Sequence, residues 1–65
     1  MKVVKVSEII RKLHADGWYL DRQKGSHRQF WHDTKNRLTT VNGKPSDSIS
    51  GDLLKSIEKQ SGLTF

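Results

Sequence analysis

The triplet Lys24-Gly25-Ser26 stands between two runs of alternating side chains, and it constrains the fold of this chain more than any other stretch. Glycine supplies the backbone freedom of a tight turn, and serine a short polar side chain that suits one. The flanking runs, Trp18 to Gln23 and His27 to His32, therefore read as the strands of a β-hairpin. With a three-residue loop, Gln23 pairs with His27, Leu20 faces Phe30 and Tyr19 faces Trp31. The last two are cross-strand pairs of the kind that stabilise a sheet. The same register sets Arg22 against Arg28. Like charges directly opposite are a local conflict, and such conflicts tend to mark functional sites unless both stems splay into water.

Before the hairpin, Val6, Ile9, Ile10 and Leu13 recur at the spacing of one apolar helix face. Ser7 is placed to cap that helix, Glu8 suits its dipole, and Gly17 stops it as a left-handed residue. After the hairpin, Asp33-Thr34-Lys35-Asn36 reads as a polar turn. Arg37 to Val41 reads as a third strand rich in β-branched residues. Asn42-Gly43 and Lys44-Pro45 then break the chain, and a polar loop runs to Ser48. Ile49 can staple onto Leu54 across a cap at Ser50. Leu53, Leu54 and Ile57 form the buried stripe, Gly62 ends the helix, and Leu63 folds back over it.

The order is helix, three antiparallel strands, helix. It predicts a single α+β domain over residues 1–65, with both amphipathic helices on one face of the sheet. Trp18, Leu20 and Phe30 face that core, while His27, Gln29 and Trp31 alternate onto the other face.

A chain of 65 residues buries about 60% of the surface its unfolded form exposes, and without cysteine it has no disulfide to add. The missing cysteines also exclude thiolate zinc sites and a cysteine nucleophile, and they suit a reducing compartment. No apolar run approaches the roughly 18 residues of a membrane span, and no signal sequence opens the chain. The sequence therefore points to a soluble cytoplasmic protein with no membrane partner. Twelve Lys and Arg against seven Asp and Glu give a net charge of +5, spread along the whole length. That charge suits a polyanion, either nucleic acid or an acidic protein, and does not choose between them.

Candidate site residues gather at the turn. Arg22, Lys24 and Arg28 flank it, and His27 closes it. Histidine has an unperturbed pKa of about 6.5, so it can take and give a proton near neutral pH. A Gly-Ser-His triplet by itself is ordinary turn chemistry. His14, beside Leu13, reads as a solvated or half-packed side chain. His32 lies five residues along the strand from His27 and so points to the opposite face, which argues against a metal pair. With no clustered carboxylates either, the sequence predicts no metal and no cofactor. Trp31 is open to three roles: stacking on a base, docking a partner, or packing on Tyr19.

The run as a whole resembles the HicA toxin family, small bacterial ribonucleases of type II toxin–antitoxin pairs. The resemblance extends from about Val6 to Leu63. It is carried by Asp16-Gly17-Trp18 at the end of the first helix, Arg22, the hallmark Lys24-Gly25-Ser26-His27-Arg28, Phe30, and Thr40-Val41. Ser56-Ile57 and Lys59-Gln60-Ser61-Gly62-Leu63 complete it. Two positions depart from many relatives: Asp33 follows His32 where they carry proline, and Asp52-Leu53 replaces Gly-Thr. The family implies a fold like that of double-stranded-RNA-binding domains. It also implies cleavage of mRNA with the motif's histidine, here His27, essential, and a HicB-like antitoxin as partner.

That chemistry suits the residues. RNA carries its own nucleophile, the 2′-hydroxyl. His27 can act as base or acid, while Arg22, Lys24 and Arg28 can stabilise the phosphorane. Gly25 permits close approach to a phosphate, and Ser26 adds a donor. Tyr19 and Trp31, on the face of His27, are the expected anchors for the antitoxin. The alternative is a non-catalytic RNA-binding module of the same fold, with these residues as phosphate contacts; a third reading is an adaptor that docks an acidic protein.

Overall fold

A computed structural model of the chain describes residues 2–65. The order is β1 (Val3–Lys5), α1 (Val6–Ala15), β2 (Tyr19–Lys24), β3 (His27–His32), β4 (Arg37–Asn42), β5 (Ser48–Ser50) and α2 (Gly51–Ser61). The fold is α+β, as expected. Strands β2, β3 and β4 form an antiparallel sheet in that order, and β1 pairs with β5 in a small second sheet that sequence reasoning missed. At three residues each, β1 and β5 are too short to carry a readable alternation.

One apolar cluster joins the layers. Val6, Ile9 and Leu13 come from α1, Phe30 and Val41 from the sheet, and Leu54 and Ile57 from α2. Trp18 and Ile49 close its flanks, and Phe65 is buried against it as well. Both helices therefore cover one face of the three-stranded sheet.

Helix α1 starts two residues earlier than expected, and Ser7 does not cap it. Lys5 occupies the cap position and its side chain makes no cap bond. The first amides instead donate to loop carbonyls, Val6 N–H to Asp47 at 2.9 Å and Ser7 N–H to Pro45 at 3.0 Å. The tertiary loop does what a capping hydroxyl would do. Ser50 does stand at the cap of α2, but its hydroxyl makes no cap bond either.

The end of α1 follows the sequence closely. Gly17 takes φ +100, Gly17 N–H donates to His14 and Trp18 N–H to Leu13, the paired bonds of a Schellman stop. Any larger residue at Gly17 would also crowd the His32 ring. A Cβ there would lie 3.0 Å from Nε2 of His32.

Two apolar residues expected inside are exposed. Leu20 is 44% accessible and Leu53 51%. Leu20 does face Phe30 across the ladder, so it points toward the helices. It sits on edge strand β2, however, while α2 packs over β4 at the other edge. In α2, Leu54 and Ile57 already fill the buried stripe, and Leu53 lies beside it.

A polar latch closes the end of the sheet. Lys35 Nζ donates to Asp16 Oδ2 at 2.7 Å and to the Ser61 carbonyl at 2.9 Å. Trp18 Nε1 donates to the same carboxylate at 3.1 Å. Lys35 holds the Asp16 carboxyl below its ordinary range, with Trp18 and His32 adding to the effect against partial desolvation. Arg11 does the same for Glu8, and Lys2 with the Phe65 amide for Glu58.

A depressed folded-state pKa means the unfolded chain binds protons more readily. The stability these groups supply is complete above the usual carboxylate pKa of about 4 and is lost as pH falls through their lower folded values. Urea midpoints at pH 6, 4 and 3 should therefore fall in that order. Asp16→Asn should flatten the fall while lowering the midpoint at pH 6.

Candidate active site

The hairpin turn is one residue shorter than the sequence suggests. Lys24 pairs with His27 around a two-residue loop, Gly25-Ser26, and Gln23 faces Arg28. Gly25 takes φ +60, and no heavy atom lies within 4 Å of the place a Cβ would occupy. A glycine with positive φ at the first loop position matches the mirror-image turns that fit the twist of a hairpin.

Yet Leu20 faces Phe30 and Tyr19 faces Trp31, as expected. Both observations hold because the register shifts between Leu20 and Arg22, leaving Asp21 as an unpaired bulge residue. The two-residue loop has a consequence of its own. Arg22 pairs with Gln29 rather than Arg28, so the expected like-charge conflict does not exist. It also sets Arg22 on the face of His27, while the bulge beyond it lets Leu20 return to the core side.

The outer face of the sheet consequently carries three rows. Lys24, His27 and Asn42 form the row at the turn, followed by Arg22, Gln29 and Thr40, then Tyr19, Trp31 and Leu38. Arg22, Lys24, His27, Gln29 and Thr40 line one shallow depression of about 330 Å³. His27 is exposed at its rim, with Lys24 directly across the ladder.

Of the residues predicted from sequence, Arg22, Lys24 and His27 are brought together, and Gly25 with Ser26 makes the turn above them. Arg28 is not with them. It points to the core side, where its Nη1 donates to the Gly43 carbonyl at 2.6 Å. Gly43 N–H in turn donates to the Ser26 carbonyl at 3.2 Å, so Arg28 helps tie the hairpin tip to the end of β4.

Tyr19 and Trp31 lie at the far end of the face. Both donate to Asp33 Oδ1, from the phenol at 3.1 Å and from the indole at 3.0 Å. Partial desolvation and this carboxylate push the Tyr19 phenol above its usual pKa.

The other histidines lie outside this face. His32 packs edge-on against Trp18, with ring centroids 5.3 Å apart. Its Nδ1 accepts from Lys35 N–H at 3.0 Å, which assigns the proton to Nε2, the atom 2.7 Å from the Asp16 carbonyl. His14 is exposed and meets the edge of Phe30 at 5.8 Å. Among the described residues no three His, Asp or Glu side chains gather as a metal-binding group.

Sequence reasoning put Gln29 on this face but gave it no role, and it missed Thr40. Placing Thr40 needs the β3–β4 register, and no local signal carries that.

The chain is a small basic α+β domain with an exposed histidine beside two cations, Lys24 and Arg22, on one face of its sheet. The family model described as HicA toxin of bacterial toxin-antitoxin matches residues 6–63, which takes in both helices and the whole three-stranded sheet. The chain belongs to the HicA toxin family, whose members are toxins with nuclease-type activity, paired with an antitoxin partner. No curated protein matches the sequence. Among the described residues no helix is long and apolar enough to cross a membrane.

Proposed function

We propose that this toxin is an endoribonuclease that cleaves mRNA without a metal ion. The observation that carries the reading is the outer-face depression: His27 stands beside Lys24 and Arg22, and among the described residues no hydrogen bond or ion pair takes up the imidazole. His27 either removes the 2′-hydroxyl proton or protonates the leaving 5′-oxygen, and solvent water carries the other of these two protons. The 2′-oxygen attacks the adjacent phosphorus, the P–O5′ bond breaks, and a cyclic phosphate and a 5′-hydroxyl end result. Lys24 and Arg22 stabilise the extra negative charge of the phosphorane. Gly25 and Ser26 keep the turn low and open beside it. Arg28 acts one step removed, by holding the hairpin tip.

The test is cleavage of a long single-stranded RNA by the free protein in EDTA, over a salt series. Cleavage should persist in EDTA, and log affinity should fall with log salt at about −0.7 per phosphate contact. Arg22→Ala should flatten that slope by about one contact, and Arg28→Ala should leave it unchanged while lowering stability. Loss of cleavage in EDTA would overturn the metal-free mechanism. Salt-dependent binding with no cleavage would support the RNA-binding module instead.

The partner in this reading is a HicB-like antitoxin of acidic character that covers the Gly25–His27 corner. Its apolar anchors would be Tyr19 and Trp31, held in place by Asp33. The net charge of +5 speeds the approach of an acidic partner, and a buried aromatic slows its release. Trp31→Ala should weaken the complex at least tenfold, measured by calorimetry. The complex should also shield His27 from diethyl pyrocarbonate. A complex that leaves His27 fully reactive would mean that inhibition acts from another surface.

A further inference from the structure

Gln29 and Thr40 form the floor of the depression that holds His27. They face each other directly across β3 and β4, and both are half-buried. Among the described residues, no hydrogen bond or ion pair within the protein takes up their side chains, nor those of Arg22, Lys24 and His27 around them. Polar neighbours on the same strands are engaged: Gln23 donates to the Gly25 carbonyl and Arg28 to that of Gly43. Half-buried polar groups left unpaired in a concavity are suited to a ligand that completes them.

We propose that Gln29 and Thr40 form a single-nucleotide subsite that sets the base preference of cleavage. The inference rests on the ribonuclease reading and adds to it a site that reads one base. The depression, at about 330 Å³, lies at the small end of ligand sites and suits one nucleotide. Its charge is divided: the β2 wall bears Arg22 and Lys24, while the β3–β4 floor is neutral. The phosphate belongs at the wall and the base over the floor. Gln29 lies two residues from His27, about 7 Å along the strand. A nucleotide whose phosphate meets the His27 row therefore has its base over the next row. The Gln29 amide offers two donors and an acceptor, and the Thr40 hydroxyl offers both functions. Such groups read the Watson–Crick edge of an unpaired base, an edge that a duplex keeps hidden. A base that fails to match them leaves polar groups unpaired, and that mismatch is the source of discrimination.

The test titrates the four nucleoside 3′-monophosphates by NMR and maps cleavage sites in a long single-stranded RNA. The expected result is a shift of the Gln29 side-chain amide, and affinities that differ among the four bases. Gln29→Ala should weaken the best probe about three- to tenfold, flatten the ranking and redistribute the cleavage sites. Thr40→Val should weaken binding likewise. Gln29→Met, which keeps the side-chain length, separates loss of the amide from loss of packing. Equal affinities for all four bases, or a ranking and cleavage map that survive every variant, would overturn the subsite; if the wild type still cleaves RNA, the ribonuclease reading stands without it. Base-ranked binding that Gln29→Ala abolishes, in a protein that cleaves nothing, upholds the subsite and removes the ribonuclease reading.

Discussion

His27→Ala should lower the rate of RNA cleavage by about 10²- to 10⁴-fold, the range a positioned acid or base supplies, while the protein stays folded. The two halves of this expectation rest on separate observations. The side chain is exposed and starts β3 at the edge of the turn, so its removal leaves no cavity. It shares its row with Lys24 and Asn42, both exposed, and none of the three belongs to the apolar core. Initial rates in EDTA and circular dichroism of wild type and variant check both halves together. His32→Ala gives the complementary pattern. It removes the bonds to the Asp16 carbonyl and the Lys35 amide, and an edge contact with Trp18. Its cost should be about 1–3 kcal/mol of stability, with cleavage per folded molecule unchanged. Undiminished cleavage by folded His27→Ala would remove this residue from the mechanism.

The helices and the hairpin are legible in the sequence because their signals are local. The apolar spacing of Val6, Ile9 and Leu13 and the glycine stops at Gly17 and Gly62 need no knowledge of tertiary contacts. The side of the sheet on which each cation stands is another matter. Alternation counted back from a three-residue loop puts Arg22 with Arg28; the two-residue loop moves it opposite Gln29 on the face of His27, and the bulge at Asp21 then returns Leu20 and Tyr19 to the expected register. Because a strand's period is two, one inserted residue exchanges the faces of everything beyond it. Two errors, in loop length and in bulge, cancelled at Leu20 and Tyr19 and did not cancel at Arg22. Capping at Ser7 failed for a related reason: the loop that supplies the Asp47 and Pro45 carbonyls lies some 40 residues away in sequence.

The depression also separates two jobs that the basic residues around the turn seemed to share. Arg22 and Lys24 have no partner in the protein among the described residues, while Arg28 is committed to Gly43. Charge is therefore concentrated on one wall of the site rather than ringed around the turn. A one-sided wall orients a phosphate. It leaves the other side to the neutral pair Gln29 and Thr40, where hydrogen bonds rather than charge decide what fits.

Phe30→Ala should lower the stability of the fold by about 3–5 kcal/mol, the largest loss expected of any single substitution in the core. Phe30 is 1% exposed on the central strand, between Leu20 of β2 and Thr39 of β4. It meets the apolar residues of both helices in the one core, and the ring of His14 edge-on. Replacing a buried phenylalanine by alanine costs about 3–5 kcal/mol, through lost transfer energy and the cavity left behind. Natural domains hold about 0.05–0.15 kcal/mol per residue, which for a chain of this size is only about 3–10 kcal/mol in all. The substitution therefore removes from about a third to all of the available stability. Leu20→Ala, across the ladder on the same face, should cost less than about 1 kcal/mol, because 44% of Leu20 is already in water. Urea unfolding followed by tryptophan fluorescence measures both. Equal losses at the two positions would mean that the helix layer reaches over the edge strand, contrary to the exposure of Leu20.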